Sequence, residues 1–258
     1  MLVAFDVDGV LVEVSQSYYR ALPETVSYFL KSPVDSGLLL DLKIKLNLNN
    51  DWDATLAGLL FYRSGLKLDE FISQMSVGPP DFRKFYEWAK DKNITLPDYR
   101  LLVKKFEAKY RKFRARETLK ISPDTLKEIK SMAKMMAVIT GRTREDLAYT
   151  FRKYSLYKYF DLIITEDDLP SIERRKPSPY PLQLLIQSCG YSSPACYVGD
   201  TLTDWQMVQN FNREEEKKVL FILYRNDLNG RVKADYCVKN EKQLLEILNK
   251  ISQKEKSI

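Results

Sequence analysis

The sequence predicts an α/β fold, a parallel-sheet core with a block of helices inserted after its first strand. Three observations carry this. Short apolar, β-branched runs recur at "LVAF" (2–5), "MMAVI" (135–139), "LII" (162–164), "CYV" (196–198) and "VLFIL" (219–223), with helical patterns between most of them. Such alternation is the signature of a parallel sheet covered by helices. From about Ser15 to Glu117 it stops, and "QSYYRALPETVSYFL", "WDATLAGLLFYR", "LDEFISQM", "PDFRKFYEWAK" and "DYRLLVKKFEAKYRKF" all read as helices. The expected division is a discontinuous core, residues 1–14 and 118–258, and a helical domain over 15–117.

Taken in order, the first run ends in "DVDG", which sets Asp6 and Asp8 one residue apart. If the chain stays extended, both carboxylates leave the same face about 6 to 7 Å apart. Their repulsion at an effective dielectric near 20 is then roughly 2 to 3 kcal/mol. A cation, a proton or a turn at Gly9 that swings Asp8 into water would relieve it. Further along, Ser122-Pro123 reads as an N-cap followed by Pro at the first helical position. In "YPLQLLIQSCG", Leu182, Leu185, Ile186 and Cys189 share one helical face and Gly190 stops the helix, so these four are expected in the core. The terminal "NKISQKEKSI" reads as a frayed polar tail.

Composition removes several chemistries. The 258 residues are 45% hydrophobic, ample for a folded core. There is no histidine, which excludes Ser-His-Asp and Cys-His nucleophile pairs, His-ligated zinc and imidazole bases; acid–base work must fall on carboxylates, Lys or Tyr. Cys189, Cys196 and Cys237 lack zinc-type spacing and read as reduced, small core-filling residues. The net charge of +6 favours anionic ligands without demanding nucleic acid. With no leader-like start and no membrane-length apolar stretch, a cytoplasmic protein with no membrane partner is expected.

Ligands of open parallel sheets gather outside the carboxyl ends of the strands. There the sequence supplies Asp6 and Asp8 from the first strand, Thr140, Gly141 and Arg142 after "MMAVI", and Asp200 and Asp204 in "GDTLTD" after "CYV". Four aspartates in one crevice call for a divalent cation, and hard oxygen ligands in an incomplete cage suit Mg2+ completed by water and phosphate. Lys176, in "ERRKPSPYP", offers a positive charge for an anionic substrate. Each residue also has a plainer reading. Asp-x-Asp-Gly after a strand is often only a turn, Thr140 caps a helix beginning at Arg142, Arg142 is a solvated first-turn residue, and Lys176 belongs to a solvated run with Arg174 and Arg175.

"DVDGVL", Thr140 after an apolar strand, Lys176 in "KPSP" and "GDTLTD" together resemble the four ordered motifs of the haloacid dehalogenase (HAD) superfamily of phosphohydrolases. The insert is similar in position and helical character to that family's C1 cap, and "VSQSYYRA", "NNDWDAT" and "VITGRTRED" resemble a HAD phosphatase subgroup of archaea and cyanobacteria. The resemblance implies a Rossmann-like core and a phosphatase of small phosphate esters. It implies that Asp6 is the nucleophile, forming an aspartyl-phosphate, and that Asp8 is the general acid and then the base. Thr140 and Lys176 would bind the phosphoryl group. Mg2+ would be held by Asp6, the Asp8 carbonyl, Asp200, and Asp204 directly or through water. Trp205, Gln206 and Met207 depart from the small residues the family often has there.

In the helical insert, Asn50 or Asp51 reads as an N-cap and Trp52 as a staple, yet the same cluster offers the amide, carboxylate and aromatic surface of a substrate-binding site. In "YRLLVKKFEAKYRKFRAR", Leu102, Phe106, Tyr110 and Phe113 form a helical stripe and basic residues cover much of the rest. A solvated basic face is the simpler reading, and attraction of anionic substrates or a nucleic-acid contact the sharper one. The expected function is a Mg2+-dependent phosphatase of a small metabolite. The alternatives are a phosphomutase and a HAD-like protein that acts on or binds nucleic acid or nucleotide phosphate through this helix; the substrate and oligomeric state are left open.

Overall fold

The computed structural model describes residues 1–48, 50–75, 82–191, 193–225 and 232–255. Asn49 of the "NNDWDAT" stretch, Pro80 and Asp81 of the "PDFRKFYEWAK" stretch and residues 256–258 of the tail lie outside them. In chain order the elements begin with β1 (Leu2–Phe5), β2 (Val12–Glu13), α1 (Tyr18–Leu30), α2 (Ser36–Lys45), α3 (Asp51–Ser64), α4 (Leu68–Met75), α5 (Phe82–Asp91) and α6 (Tyr99–Phe113). They continue with β3 (Thr118–Leu119), α7 (Pro123–Met132), β4 (Met135–Ile139), α8 (Arg144–Lys153), β5 (Leu162–Ile164), α9 (Tyr180–Cys189), β6 (Ala195–Gly199), α10 (Leu202–Glu214), β7 (Val219–Tyr224), β8 (Tyr236–Val238) and α11 (Glu241–Glu255). By their contacts these fall into two compact units, Met1–Glu13 with Thr118–Ile258, and Val14–Glu117.

The first unit is the α/β fold that the alternation predicts. Its six-stranded sheet runs β5-β4-β1-β6-β7-β8, every pair parallel, while β2 and β3 form a separate antiparallel pair. β1 is buried along its whole length, since both faces of the sheet are covered. On one face Leu2 and Ala4 join Ile139, Leu182, Leu185, Tyr197, Met207, Phe211 and Phe221 in a continuous core. Toward the other, Phe5 meets Phe160 edge to face at 6.0 Å. Helix starts follow the capping residues: Ser122 Oγ accepts from Thr125 N at the start of α7, and Pro123 occupies the first turn.

The second unit consists of α1 to α6. α3 is buried from Asp53 to Phe61, so helices surround it. α6 turns Leu102, Phe106, Tyr110 and Phe113 inward at helical spacing, and Tyr18 of α1 stacks on Tyr110 at 4.2 Å. On its outer side Lys104, Arg111 and Lys112 are exposed and Lys109 pairs with Glu24 at 3.1 Å.

Four expectations change. α2 was unforeseen, because "SGLLLDLK" has consecutive leucines in place of a clean period; Asp35, accepting from Gly37 N and Leu38 N, caps it. β8 is only three residues long and carries too little pattern to stand out. The polar tail is helical through Glu255, with Leu244, Leu248 and Ile251 buried on one side of α11. Of the three cysteines only Cys196 is a buried core residue; Cys189 is half-buried and Cys237 exposed.

Because Leu185 is fully buried in the core between α9 and the sheet, Leu185→Ala is expected to cost about 2 to 5 kcal/mol, read from the shift of a urea unfolding midpoint at unchanged slope.

Candidate active site

β1 lies between β4 and β6, and Phe5 pairs with both Val138 and Val198. The residues just beyond these strands therefore arrive side by side: Asp6 after β1, Thr140 after β4 and Asp200 after β6. Asp6 is held down by its own N–H, which donates to Val198 O at 2.8 Å. The chain does not stay extended through Asp8. Leu11 N and Val12 N both donate to Val7 O at 2.9 Å, folding the segment back into a tight loop, and Gly9 adopts φ +77°. A Cβ on Gly9 would lie 2.0 Å from Asp200 Oδ2, so only glycine lets that carboxylate sit there.

Carboxylate oxygens of Asp6, Asp200 and Asp204 lie within 4.8 Å of one another, and all three residues are buried. Lys176 holds two of them, at 3.0 Å from Asp6 Oδ1 and 2.8 Å from Asp204 Oδ1. It is buried, unlike the solvated neighbour expected from its basic run, while Arg175 turns away to pair with Glu166. Burial works against the Lys176 ammonium, but Asp204 and Asp6 outweigh it and raise its pKa. Burial likewise pushes the Asp6 carboxyl up to about 7, against the pull of Lys176 and with help from Asp204 and Asp8. Burial, then Asp204 and Asp6, hold Asp200 well above the usual carboxylate range. Two buried carboxyls pushed toward their neutral forms, presenting hard oxygen donors in a compact set, fit a divalent cation such as Mg2+.

Asp204 differs from the other two. Its Oδ1 accepts from Lys176 Nζ and from Tyr197 OH at 3.1 Å; its Oδ2 accepts from Thr201 Oγ1 at 2.6 Å, Thr201 N at 3.0 Å and Asp200 N at 3.2 Å. Burial would raise its carboxyl, yet Lys176 and the hydrogen bonds from Lys176 and Thr201 lower it below the usual range. It is also the third residue of α10, closing a capping box with Thr201. Gly199 makes room for it, since a Cβ there would fall 2.6 Å from Asp204 Cβ. Trp205 and Met207, on the following turn, face the core: Met207 is buried and Trp205 packs against it.

Thr140 is buried at the end of β4, and its Oγ1 accepts from Arg142 N at 3.1 Å. Gly141 is exposed at the bend. The helix beyond begins at Arg144 and is capped by Thr143, whose Oγ1 accepts from Asp146 N, so the expected cap by Thr140 is displaced by three residues. Arg142 is not a solvated first-turn residue. Its side chain is 1% exposed, with Nε and Nη2 at 2.9 and 2.5 Å from Asp8 Oδ1. Burial of an arginine against an ion-pair partner left no sign in the sequence. Tyr197 was also missed, although a tyrosine inside an otherwise apolar strand is a signal that its hydroxyl has a buried acceptor.

Asn50, Asp51 and Trp52 belong to the helical unit. Asn50 caps α3, accepting from Trp52 N and Asp53 N; Asp51 pairs with Lys43; Trp52 Nε1 donates to Glu107 Oε1 at 2.7 Å, tying α3 to α6. Each therefore has a structural task within that unit. Among the described residues no helix is long and apolar enough to cross a membrane.

A parallel sheet with a buried Asp-Lys-Asp cluster at its carboxyl edge places that cluster where ligands of open α/β sheets bind. The family model of the haloacid dehalogenase-like hydrolases matches residues 1–212, and the chain belongs to that family. It is 31% identical over 205 residues to an imidazoleglycerol-phosphate dehydratase of Phytophthora nicotianae, covering 77% of this chain and 39% of that protein. It is 34% identical over 82 residues to a phosphoglycolate phosphatase of Thiobacillus denitrificans, covering 31% of this chain and 35% of that one. The chain thus spans well under half the length of these curated relatives. Among solved structures, a phosphatase from Thermococcus thioreducens superposes with a TM-score of 0.69 at 23% identity, over 96% of this chain and 99% of that one, a likeness of fold.

Tyr197→Phe deletes one donor to Asp204 and leaves the ring packing intact. It is expected to lower stability by about 1 to 3 kcal/mol in chemical denaturation; an unchanged midpoint would show that the hydroxyl does not hold Asp204.

Proposed function

We propose that the chain is a Mg2+-dependent phosphatase that hydrolyses a small phosphorylated metabolite through an aspartyl-phosphate at Asp6. The observation that carries the reading is the buried Lys176 between Asp6 and Asp204, with Asp200 alongside. Asp6 Oδ1 takes both Lys176 Nζ and Val7 N, at 2.8 Å from the latter, which turns the nucleophilic role to Oδ2. Asp6 Oδ2 attacks phosphorus as the ester P–O bond breaks, and the leaving oxygen takes a proton from the Asp8 carboxyl. Water then attacks the aspartyl-phosphate, gives its proton to Asp8, and frees Asp6 and inorganic phosphate. Lys176 and the Thr140 hydroxyl bind the phosphoryl oxygens and keep them in line with Asp6.

Asp6, Asp200 and the Asp8 carbonyl would hold the ion. When bound it would supply charge neutralisation at the phosphoryl group. Asp204, with both oxygens already engaged, serves to place Lys176 and reaches the ion through water at most. The helical unit is read as a C1-type cap over residues 15–117.

Two measurements test the reading. Thorough chelation is expected to abolish release of phosphate from an aryl phosphate, and added Mg2+ to restore it, whereas Ca2+, with its larger radius and looser coordination, should not. Activity that survives chelation would remove the metal from the mechanism. Asp6→Asn is expected to form no acid-stable phosphoprotein in rapid-quench labelling with any substrate. Labelled protein in that variant would place the nucleophile elsewhere.

A further inference from the structure

Asp8 lies in the loop beyond β1, where a single backbone bridge to Val12 fixes its main chain but not its side chain, which is 34% exposed. Something else must hold its carboxyl in one orientation. The backbone of Arg142 is pinned on both sides: its N–H donates to Thr140 Oγ1 and its carbonyl accepts from Glu166 N at 3.0 Å. Its guanidinium donates through Nη1 to Thr150 Oγ1 of α8 at 3.0 Å. Along the other edge, Nε and Nη2 both donate to Asp8 Oδ1. A planar fork fixed in this way is preorganised, as an ammonium on a flexible stem is not. With 1% of its side chain exposed, Arg142 offers little surface to a substrate.

We propose that Arg142 is a positioning residue for Asp8: it occupies Oδ1 with two N–H groups, fixes the carboxyl rotamer and reserves Oδ2 for proton transfer. This rests on the phosphatase reading, in which Asp8 is the acid and base. The same residue links Thr140 to Asp8, so the phosphate-binding hydroxyl and the proton carrier are set by one side chain and its own N–H. A site whose proton carrier sits on a loop depends on such supporting contacts to keep a productive geometry.

The test compares para-nitrophenyl phosphate with phenyl phosphate, whose leaving phenolate is the more basic and so needs the proton more. Arg142→Met is expected to lose kcat/KM on phenyl phosphate roughly ten-fold more than on para-nitrophenyl phosphate, as Asp8→Asn does. Added to Asp8→Asn, it should bring no further leaving-group dependence. Arg142→Lys, which keeps the charge and guards against a misfolded Met variant, should fall between the two. Independently of turnover, the Arg142 Nε–H resonance in nitrogen-15 NMR should be protected from solvent exchange and move on Asp8→Asn. Equal losses on both substrates, a rise in KM at unchanged kcat, or an Nε–H signal indifferent to Asp8→Asn would each overturn the proposal. If Asp8→Asn itself shows no leaving-group dependence, or the wild-type protein hydrolyses neither ester, it is the acid–base or phosphatase reading that fails, and the positioning role given to Arg142 falls with it.

Discussion

Everything at the carboxyl edge of this sheet answers to one constraint, the repulsion among Asp6, Asp8, Asp200 and Asp204. Strand order creates it. β1 is paired in register with both β4 and β6, so the segments that follow must converge, whatever charge they carry. Buried carboxylates are tolerated only when paired, hydrogen-bonded or metal-bound. The fold brings two buried cations from separate segments, Lys176 from ahead of α9 and Arg142 from the turn after β4, and sets each against a different aspartate of "DVDG". The carboxyls of Asp6 and Asp200 are raised all the same, by burial first and then by the neighbouring aspartates. Breaking a buried pair by removing one partner typically costs about 3 to 5 kcal/mol, so these contacts bear on folding as well as on chemistry.

Glycine and capping chemistry decide how closely the charges approach. Gly9 lets the first loop pass against Asp200, and Gly199 lets Asp204 fold back over the end of β6. Neither position tolerates a side chain without moving a carboxylate. The helical unit is assembled on different terms, through aromatic stacking such as Tyr18 on Tyr110 and through half-buried polar ties such as Trp52 to Glu107. Aromatic contacts give it a core of its own.

The parallel sheet was legible in the sequence because its strands are apolar on both faces and end in turn residues, so the pattern survives without knowledge of their partners. α2 and β8 were not, since one lacks a clean period and the other is three residues long. Within the site, the chemical identity of Asp6, Asp8, Lys176, Asp200 and Asp204 could be read from their places after the apolar strands, but their pairing could not. Whether Lys176 and Arg142 point inward depends on backbone direction in irregular segments, where no periodicity relates position to face. The extended geometry assumed for Asp6 and Asp8 failed for the same reason: β1 stops at Phe5 and the chain folds back at Val7. Tyr197 shows the converse, a polar tip in a regular strand, where the face was predictable and only its acceptor was not.

The spacing in "GDTLTD" follows from the two tasks its aspartates perform. Asp200 is the first residue past β6 and stays with the sheet edge, among the oxygens that gather there. Asp204 stands four residues on, at the third position of α10, where its Oδ2 closes the cap through Thr201 while Oδ1 remains directed at Lys176 and Tyr197. One residue earlier or later on the helix, the carboxylate would rotate by about 100° and could not serve both the cap and the lysine. The start of α10 and the position of Lys176 are thereby set by the same side chain. Against its burial, Asp204 is held ionised first by the Lys176 charge and hydrogen bond and then by the hydrogen bonds from Thr201 at the helix start. Lysine and carboxylate thus keep each other charged in a buried site, and Lys176 is held in place before any phosphate arrives.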